Sequence, residues 1–308
     1  MENEEKTTIP FNNLLNNSLA FRLGLVLGKI LPRKVGLKIA ASIGAYLGNN
    51  QDNPTVKAIR ANQWVIHDQE LTEDELNRIP KIVIGSAAKC LFDYFYFLSR
   101  PEKLQQIVHY SPQANIAIDR IRAKKPCVVV CPHLSNFDLV GYTLALHKVE
   151  MQILSFPNPS GTYELQNQQR EDMGFLVTPM SFSAFHQARN RLRDGGSILT
   201  GLDRPLSGDQ HDKYQPEFFG YKTNLPVIYV RMAKEANAPV YIMTATSQAD
   251  NTYLLEGSQP IWMESADDLE TEVLNNVNRV LSQAQEYIIN YALQWTMFYP
   301  IWPQFLGV

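Results

Sequence analysis

A histidine and an aspartate with four residues between them have the right types and spacing to do chemistry together. They are His133 and Asp138, within the stretch PCVVVCPHLSNFDLVG. An ionised aspartate that accepts a hydrogen bond from one ring nitrogen fixes the histidine tautomer and leaves the other nitrogen free to take a proton. The pair therefore predicts a general base acting on a substrate hydroxyl. A capping aspartate beside a structural histidine is the alternative that the spacing alone leaves open.

The segments around this pair predict a strand followed by a helix. Cys127 to Cys131 is a short apolar run rich in β-branched residues, typical of a buried strand, and it ends at Pro132. Ser135 or Asn136 can cap a helix that runs from residue 137 towards residue 147. The histidine then lies at the carboxyl end of a strand, which is where open α/β sheets usually place their active sites.

Composition narrows the possible partners. The chain has 308 residues and a net charge of −3, so its overall charge does not indicate a nucleic-acid partner. Its three cysteines predict reduced thiols rather than a disulfide framework, and Cys127, Cys131 and His133 lack the usual spacing of a metal site, so no metal is expected. No apolar stretch is long enough to span a membrane, and the acidic N-terminus does not match a signal peptide.

The first fifty residues have a different charge balance. Between Glu5 and Asp52 the chain has no acidic residue but six basic ones. Two predicted helices, Leu19 to Leu31 and Val35 to Leu47, are joined at Pro32. Such a pair can lie in the membrane interface with its basic side chains at anionic headgroups. The alternative is a hairpin that packs on the rest of the protein through its glycines.

The remainder of the chain predicts helices first and then an alternation of strands and helices. Leu71 to Arg78 follows a capping-box pattern and predicts one helical region, and Pro80 to Ser99 predicts another. The second helix has an aromatic stripe that either packs in the core or lines a tunnel for an apolar chain. From Ile116 onward the alternation predicts one α/β domain, a sheet with helices on both faces, and Leu269 to Leu293 predicts a long closing helix.

Several stretches, in order along the chain, resemble the lipid A biosynthesis acyltransferase family, which includes phosphatidylinositol mannoside acyltransferase. The stretch from His133 to Asp138 is similar to the family's His-x-x-Asn-(Trp/Phe)-(Asp/Glu) box, with Ser135 where glycine is usual. The other similar stretches are Arg170 to Gly174, the predicted strand that leads to Asp203, the Phe-Phe-Gly loop from Glu217 to Lys222, and the tail from Tyr291 to Pro303 with Trp295.

This resemblance implies a fold, a reaction and a location. The fold is a single α/β domain of the glycerolipid-acyltransferase type, with a central mixed sheet flanked by helices and an N-terminal amphipathic helical hairpin. Residues 1–50 are expected to form membrane-interface helices and residues 51–308 the acyltransferase domain. The implied reaction moves a fatty acyl chain from an acyl carrier protein or coenzyme A thioester to a hydroxyl of a membrane lipid or glycolipid, without a cofactor. The implied location is the cytoplasmic face of the inner (plasma) membrane, as a peripheral or monotopic protein.

The resemblance also assigns roles to residues. His133 is expected to act as the general base and Asp138 to orient it, while Arg170 or backbone N–H groups near Asn136 stabilise the oxyanion. Asp203 is expected to position Arg170 or the acceptor hydroxyl. The residues expected to contact substrate are Ser135, Asn136, Phe92, Phe95, Tyr96 and Phe219. Two alternatives remain, a non-catalytic lipid- or glycolipid-binding protein on the same fold and an acyl-thioester hydrolase.

Overall fold

A seven-stranded mixed sheet forms the centre of the molecule. The computed structural model describes residues 18–157, 159, 162–206 and 214–308, so Lys6 and the start of the predicted membrane segment lie outside the described residues. The strands of this sheet are β1 (Val108–Tyr110), β2 (Cys127–Cys131), β3 (Gln152–Ser155), β4 (Leu176–Pro179), β5 (Ser197–Gly201), β8 (Val240–Ser247) and β9 (Tyr253–Gly257). Their order is β1-β9-β8-β2-β5-β3-β4. A separate hairpin contains β6 (Glu217–Phe218) and β7 (Tyr221–Lys222).

Strand β2 occupies the middle of the sheet. It pairs in parallel with β5 over its whole length and with β8 from Val128 to Val130, while β8 and β9 are antiparallel. Its side chains alternate between the two faces of the sheet, because Val128 and Val130 join one core cluster and Cys127 and Val129 join the other. The mixed α/β fold with helices on both faces is therefore confirmed.

The helices cover both faces of this sheet. Their bounds are α1 (Ser18–Ile30), α2 (Arg33–Leu47), α3 (Pro54–Ile66), α4 (Glu73–Leu98), α5 (Pro101–Gln105), α6 (Pro112–Arg122), α7 (Phe137–Leu146), α8 (Thr162–Asp172), α9 (Phe182–Arg193), α10 (Ile228–Glu235) and α11 (Leu269–Asn290). Helices α9, α10 and α11 contribute to one core cluster, and α4, α6 and α7 contribute to the other.

One predicted boundary is wrong. The break expected between Arg78 and Pro80 is absent, and α4 continues through Pro80 as a helix of 26 residues. A proline inside a helix removes one backbone hydrogen bond, so packing must offset the loss. Pro80 is buried, and the backbone around it lies against Gly48, where an added Cβ would come within 2.6 Å of the Lys81 Cα atom. The contact with the N-terminal hairpin explains why the local signal fails.

Helices α1 and α2 form a hairpin that packs on α4 with one face. At Gly44 an added Cβ would lie 2.6 Å from the Gly85 Cα atom, so glycine is needed for this close approach. The opposite face exposes large apolar side chains, namely Leu23, Val26, Leu27, Ile30, Val35, Ile39, Ile43 and Tyr46. In the part of the chain that the structure describes, no helix has the length and apolar character needed to cross a membrane. The hairpin packs on the domain and still presents an apolar outer face.

Candidate active site

His133 lies just beyond the carboxyl end of β2, where the sequence predicts it. Its ring nitrogen Nδ1 is 2.6 Å from Oδ1 of Asp203, and its backbone N–H donates to Oδ2 of the same carboxylate at 2.9 Å. Asp203 follows β5, the parallel neighbour of β2, so the two strands end at the same edge of the sheet. Gly201 leaves room for the imidazole, because an added Cβ there would lie 3.1 Å from the His133 Cε1 atom.

The Asp203 carboxylate is fully buried and has a third donor. The indole Nε1 of Trp295 donates to its Oδ2 at 2.8 Å. A carboxylate held by three donors favours the tautomer in which Nδ1 of His133 carries a proton and Nε2 carries a lone pair. The His133 side chain is 27% exposed, so this lone pair is in a position to meet a substrate. The arrangement is that of an oriented general base.

Asp138 does not take the place predicted for it beside the histidine. Its Oδ1 accepts from Nε and Nη2 of Arg170 at 2.9 and 2.7 Å. Among the described residues the hydrogen bond of the histidine ring goes to Asp203, so the predicted ring contact with Asp138 is wrong. Asp138 lies in the first turn of α7 opposite α8, whereas the imidazole lies over Gly201 at the end of β5. The two aspartates have exchanged their expected partners.

Arg170 is held in a polar cluster of its own. Its Nη1 donates to Oδ1 of Asn167 at 2.8 Å, and its guanidinium lies 5.6 Å from the ring centroid of Tyr163. Burial is the largest single effect and lowers the pKa of Arg170, but the charge of Asp138, the neighbouring Tyr163 and the hydrogen bonds to both together outweigh burial and raise this pKa. The guanidinium therefore stays charged, and Asp138 and Asn167 accept three of its five N–H groups.

The segment 133–138, called here the catalytic turn, connects two clusters. One is formed around Asp203, which holds His133, and the other around Asp138, which holds Arg170. Ser135 has a φ of 47°, in the left-handed region, which explains why glycine suits this position in the resembled family. The tail holds the turn from one side, since Ser135 N–H donates to the Gln294 carbonyl at 2.9 Å and Thr296 N–H donates to the His133 carbonyl at 2.8 Å. Ser135 and Asn136 are both buried, so direct substrate contact by their side chains stays a prediction.

The aromatic residues predicted to contact substrate, of which Phe92, Phe95 and Tyr96 lie on the aromatic stripe, have packing roles in the structure. Phe92 and Phe95 are buried against glycines of the α1–α2 hairpin, and Tyr96 lies under the guanidinium of Arg100 at 4.1 Å. Phe219 packs edge-on against Trp302, with ring centroids 5.9 Å apart. A role for any of these residues in binding an acyl chain remains a prediction.

Cys131 lies close to both aspartates but is unsuited to nucleophilic attack. Burial raises the pKa of its thiol to about 12, and the charges of Asp203 and Asp138 contribute in the same direction. The thiol therefore stays protonated at neutral pH. Within the described ranges no group of three or more histidine, cysteine, aspartate or glutamate side chains is arranged to hold a metal ion.

Sequence reasoning missed two residues at this edge. The sequence indicates only that Trp295 belongs to an aromatic tail, whereas in the structure its indole donates to the carboxylate that holds the histidine. Arg204 lies between two rings, with its guanidinium 3.8 Å from the Phe156 centroid and 4.4 Å from that of Tyr299. The many aromatic residues of the tail are the sequence signal for Trp295, but they do not indicate that its indole contacts Asp203.

Comparison with known proteins gives the following findings. The model of a family described as bacterial lipid A biosynthesis acyltransferase matches residues 17–304. Among solved structures, the chain is similar to the crystal structure of the 1-acyl-sn-glycerophosphate (LPA) acyltransferase PlsC from Thermotoga maritima. The identity is 12% and the TM-score 0.36, over 83% of this chain and 98% of that chain. A search of curated protein sequences finds no match.

Proposed function

The chain belongs to the bacterial lipid A biosynthesis acyltransferase family, and on this premise we propose that it moves a fatty acyl chain from an acyl carrier protein or coenzyme A thioester to a hydroxyl of a glycolipid or related lipid. The observation that carries the proposal is the part-exposed imidazole of His133, whose Nδ1 is held at 2.6 Å by the buried Asp203. This arrangement supplies a base for a hydroxyl and needs no protein nucleophile.

The proposed reaction begins with proton transfer from the acceptor hydroxyl to Nε2 of His133 while the hydroxyl oxygen attacks the thioester carbonyl. Asp203 stabilises the imidazolium that forms. The tetrahedral intermediate then collapses, the carbon–sulfur bond breaks, and the imidazolium returns the proton to the departing thiolate. General base catalysis of this kind contributes a factor on the order of 10² to 10⁴ in rate.

The oxyanion of the intermediate needs donors aimed at it. Two sources lie near the catalytic turn. Arg170 has five N–H groups, of which Asp138 and Asn167 accept three, and Tyr163 is a further hydrogen-bond partner. The first turn of α7 has backbone N–H groups without partners inside the helix. In this proposal Asp138 is the group that holds Arg170 in place.

We also propose that the outer face of the α1–α2 hairpin lies on the cytoplasmic surface of the inner (plasma) membrane. Ile30 and Tyr46 are 71% and 77% exposed on this face, together with six further apolar side chains. The exposed basic residues of the same two helices are Arg22, Lys29, Lys34 and Lys38. Apolar burial at the headgroup boundary combined with attraction to anionic lipids is the usual basis of monotopic binding.

The reaction is tested with purified protein, a radiolabelled acyl thioester of coenzyme A or acyl carrier protein, and extracted bacterial glycolipids. We expect the label to appear in an ester-linked lipid only when acceptor is present. Label released mainly as free acid, with or without acceptor, would identify a hydrolase instead. Consumption of neither thioester, combined with tight retention of lipid, would favour a binding protein.

The membrane proposal is tested by sedimentation with vesicles of anionic and neutral phospholipid. The double variant Ile39→Glu with Ile43→Glu places charges on the exposed face and is expected to weaken vesicle binding on the order of 10-fold or more. Ile116→Glu is the matched control, because Ile116 is similarly exposed but lies on α6. Raising the salt concentration should weaken binding of the unaltered protein, since the attraction to headgroups is screened. Equal sedimentation of all three proteins would rule out the hairpin as the attachment site.

A further inference from the structure

A continuous line of hydrogen bonds leads from the N-terminal hairpin to the catalytic turn. Arg33, the first residue of α2, donates from Nε to Oδ1 of Asp93 at 2.8 Å and from Nη2 to Oδ2 at 2.6 Å. The hydroxyl of Tyr253 donates to Oδ2 of Asp93 at 2.8 Å. Asn136 in turn donates from Nδ2 to the Tyr253 hydroxyl at 3.3 Å. These four residues, called here the buried network, come from α2, α4, β9 and the catalytic turn.

The inner members of this network are shielded from water. Asp93 is 1% exposed, Tyr253 3% and Asn136 5%. Burial and the charge of Asp93 raise the pKa of the Tyr253 hydroxyl, which keeps this hydroxyl protonated and able to donate. Buried polar groups that are hydrogen-bonded to one another have their positions set jointly, so the loss of one group disturbs the next.

The network ends at the residue that sets the geometry of the catalytic turn. Asn136 lies between the left-handed Ser135 and the first residue of α7, and its side chain turns inward rather than capping the helix. Its amide nitrogen also donates to the Cys90 carbonyl of α4 at 2.7 Å. These contacts attach the middle of the catalytic turn, between His133 and Asp138, to α4 and β9.

We infer that Tyr253 and Asp93 are positioning residues for acyl transfer, acting on the catalytic turn through Asn136, and that Arg33 links this turn to the hairpin. The inference rests on the proposed function. It assigns to α2 a second task besides presenting an apolar face, because its first residue supplies the charge that holds Asp93 in place. A guanidinium with a bidentate contact fixes the carboxylate in one orientation.

A purely structural attachment of the hairpin is the competing explanation, and the chain offers a matched control. Arg100 also fastens the hairpin, since its Nη1 donates to the Gly28 carbonyl at 3.0 Å and its Nη2 to the Lys29 carbonyl at 2.8 Å. Its remaining hydrogen bonds in the described residues go to Tyr96 and Ser99. Arg100→Met therefore loosens the hairpin without touching Asn136, whereas Arg33→Met loosens it and breaks the buried network.

The kinetic test compares Tyr253→Phe, Arg33→Met and Arg100→Met. A displacement of about 1 Å at a reacting group can cost 10²-fold in rate, so Tyr253→Phe is expected to lower kcat by about 10- to 100-fold while KM stays within about twofold. Arg33→Met should also lower kcat. Arg100→Met should lower Tm but leave kcat unchanged. Combining Arg33→Met with Tyr253→Phe should cost less than the product of the two single effects, because both act through one network.

A second measurement does not depend on activity, so failure of the proposed function and failure of this inference are distinguishable. Amide hydrogen exchange is followed in the segment 132–140 of the full chain. We expect faster exchange there in Tyr253→Phe and Arg33→Met, and unchanged exchange in Arg100→Met. Exchange and kcat in Tyr253→Phe equal to those of the unaltered protein would overturn the inference, and so would equal effects of Arg33→Met and Arg100→Met on both quantities.

Discussion

Asp203 and Asp138 lie at the same edge of the sheet but have different partners and different surroundings. Asp203 is fully buried and accepts three hydrogen bonds, from the backbone N–H of His133, from the His133 ring and from the indole of Trp295. The Asp138 side chain is 24% exposed and is paired with the guanidinium of Arg170. The buried Asp203 holds the histidine in one tautomer, whereas Oδ1 of Asp138 accepts both of its hydrogen bonds from the guanidinium. Burial and partner, rather than closeness in sequence, distinguish the aspartate that holds His133 from the one that holds Arg170.

The largest effect is expected for His133, the proposed base. His133→Ala should reduce kcat for acyl transfer on the order of 10²- to 10⁴-fold, because no other group in the proposed reaction takes the proton. The free energy of unfolding should change by no more than about 1–2 kcal/mol, since the ring is partly exposed and contributes one hydrogen bond. A transfer assay and urea unfolding measure the two quantities. Transfer at the unaltered rate would show that the turn is not the catalytic centre.

Asp203→Asn tests the buried side of the comparison. An amide that turns its N–H₂ group toward Nδ1 favours the tautomer with the proton on Nε2, which removes the base, so kcat should fall by roughly 10²-fold or more. The two N–H donors that remain lose a charged acceptor in the interior, and the free energy of unfolding should fall by about 1–3 kcal/mol. Steady-state kinetics and urea unfolding check both effects. Near-normal kcat here, with a large loss in Asp138→Asn, would reverse the assignment of the two aspartates.

Arg170→Lys and Asp138→Asn test the other side of the comparison, the Asp138–Arg170 pair. Each variant is expected to lose about 10-fold in kcat. Lysine keeps the charge but loses the planar fork that donates twice to Asp138. The two changes should be non-additive, because each removes the same contact, while Arg170→Lys combined with Asp203→Asn should be additive in free energy. A double-mutant cycle on kcat/KM measures this. Losses that correspond to less than about 1 kcal/mol would reduce the pair to an ordinary surface salt bridge.

The sheet and the place of His133 were predictable from the sequence because their signals are local. The β-branched run from Cys127 to Cys131 and the strand-breaking Pro132 identify a buried strand and its end without reference to any other part of the chain. The family resemblance named Asp138, Arg170 and Asp203 together, and the structure brings all three to one edge of the sheet.

The pairing of these residues was not predictable in the same way. Asp203 lies 70 residues from His133, and Trp295 lies 92 residues from Asp203, so only the sheet order and the path of the tail bring them together. The short strand β1 has three residues, too few for a period to show. Helix α4 passes through Pro80 because the hairpin packs against it, which a window of neighbouring residues does not reveal.

The smallest effect on stability and kcat is expected for Ser135→Gly, a change to the backbone conformation of the catalytic turn. Ser135 has a φ of 47°, where a side chain costs about 1–2 kcal/mol and glycine costs nothing sterically. Ser135→Gly loses the weak contact between the serine Oγ and the Cys90 Sγ at 3.5 Å. It also increases the conformational entropy of the unfolded chain, which lowers the stability of the fold by up to about 1 kcal/mol.

The net result of Ser135→Gly should be a stabilisation of no more than about 1 kcal/mol, with kcat within about twofold of the unaltered protein. Ser135→Val is the contrasting variant, because a β-branched residue in the left-handed region should destabilise the fold by about 1–3 kcal/mol and disturb both clusters at once. Urea unfolding and the transfer assay on the two variants measure these effects. If Ser135→Val kept full stability and activity, the separation of the two aspartates would not depend on this turn, and the difference between them would have to arise from the strands and helices alone.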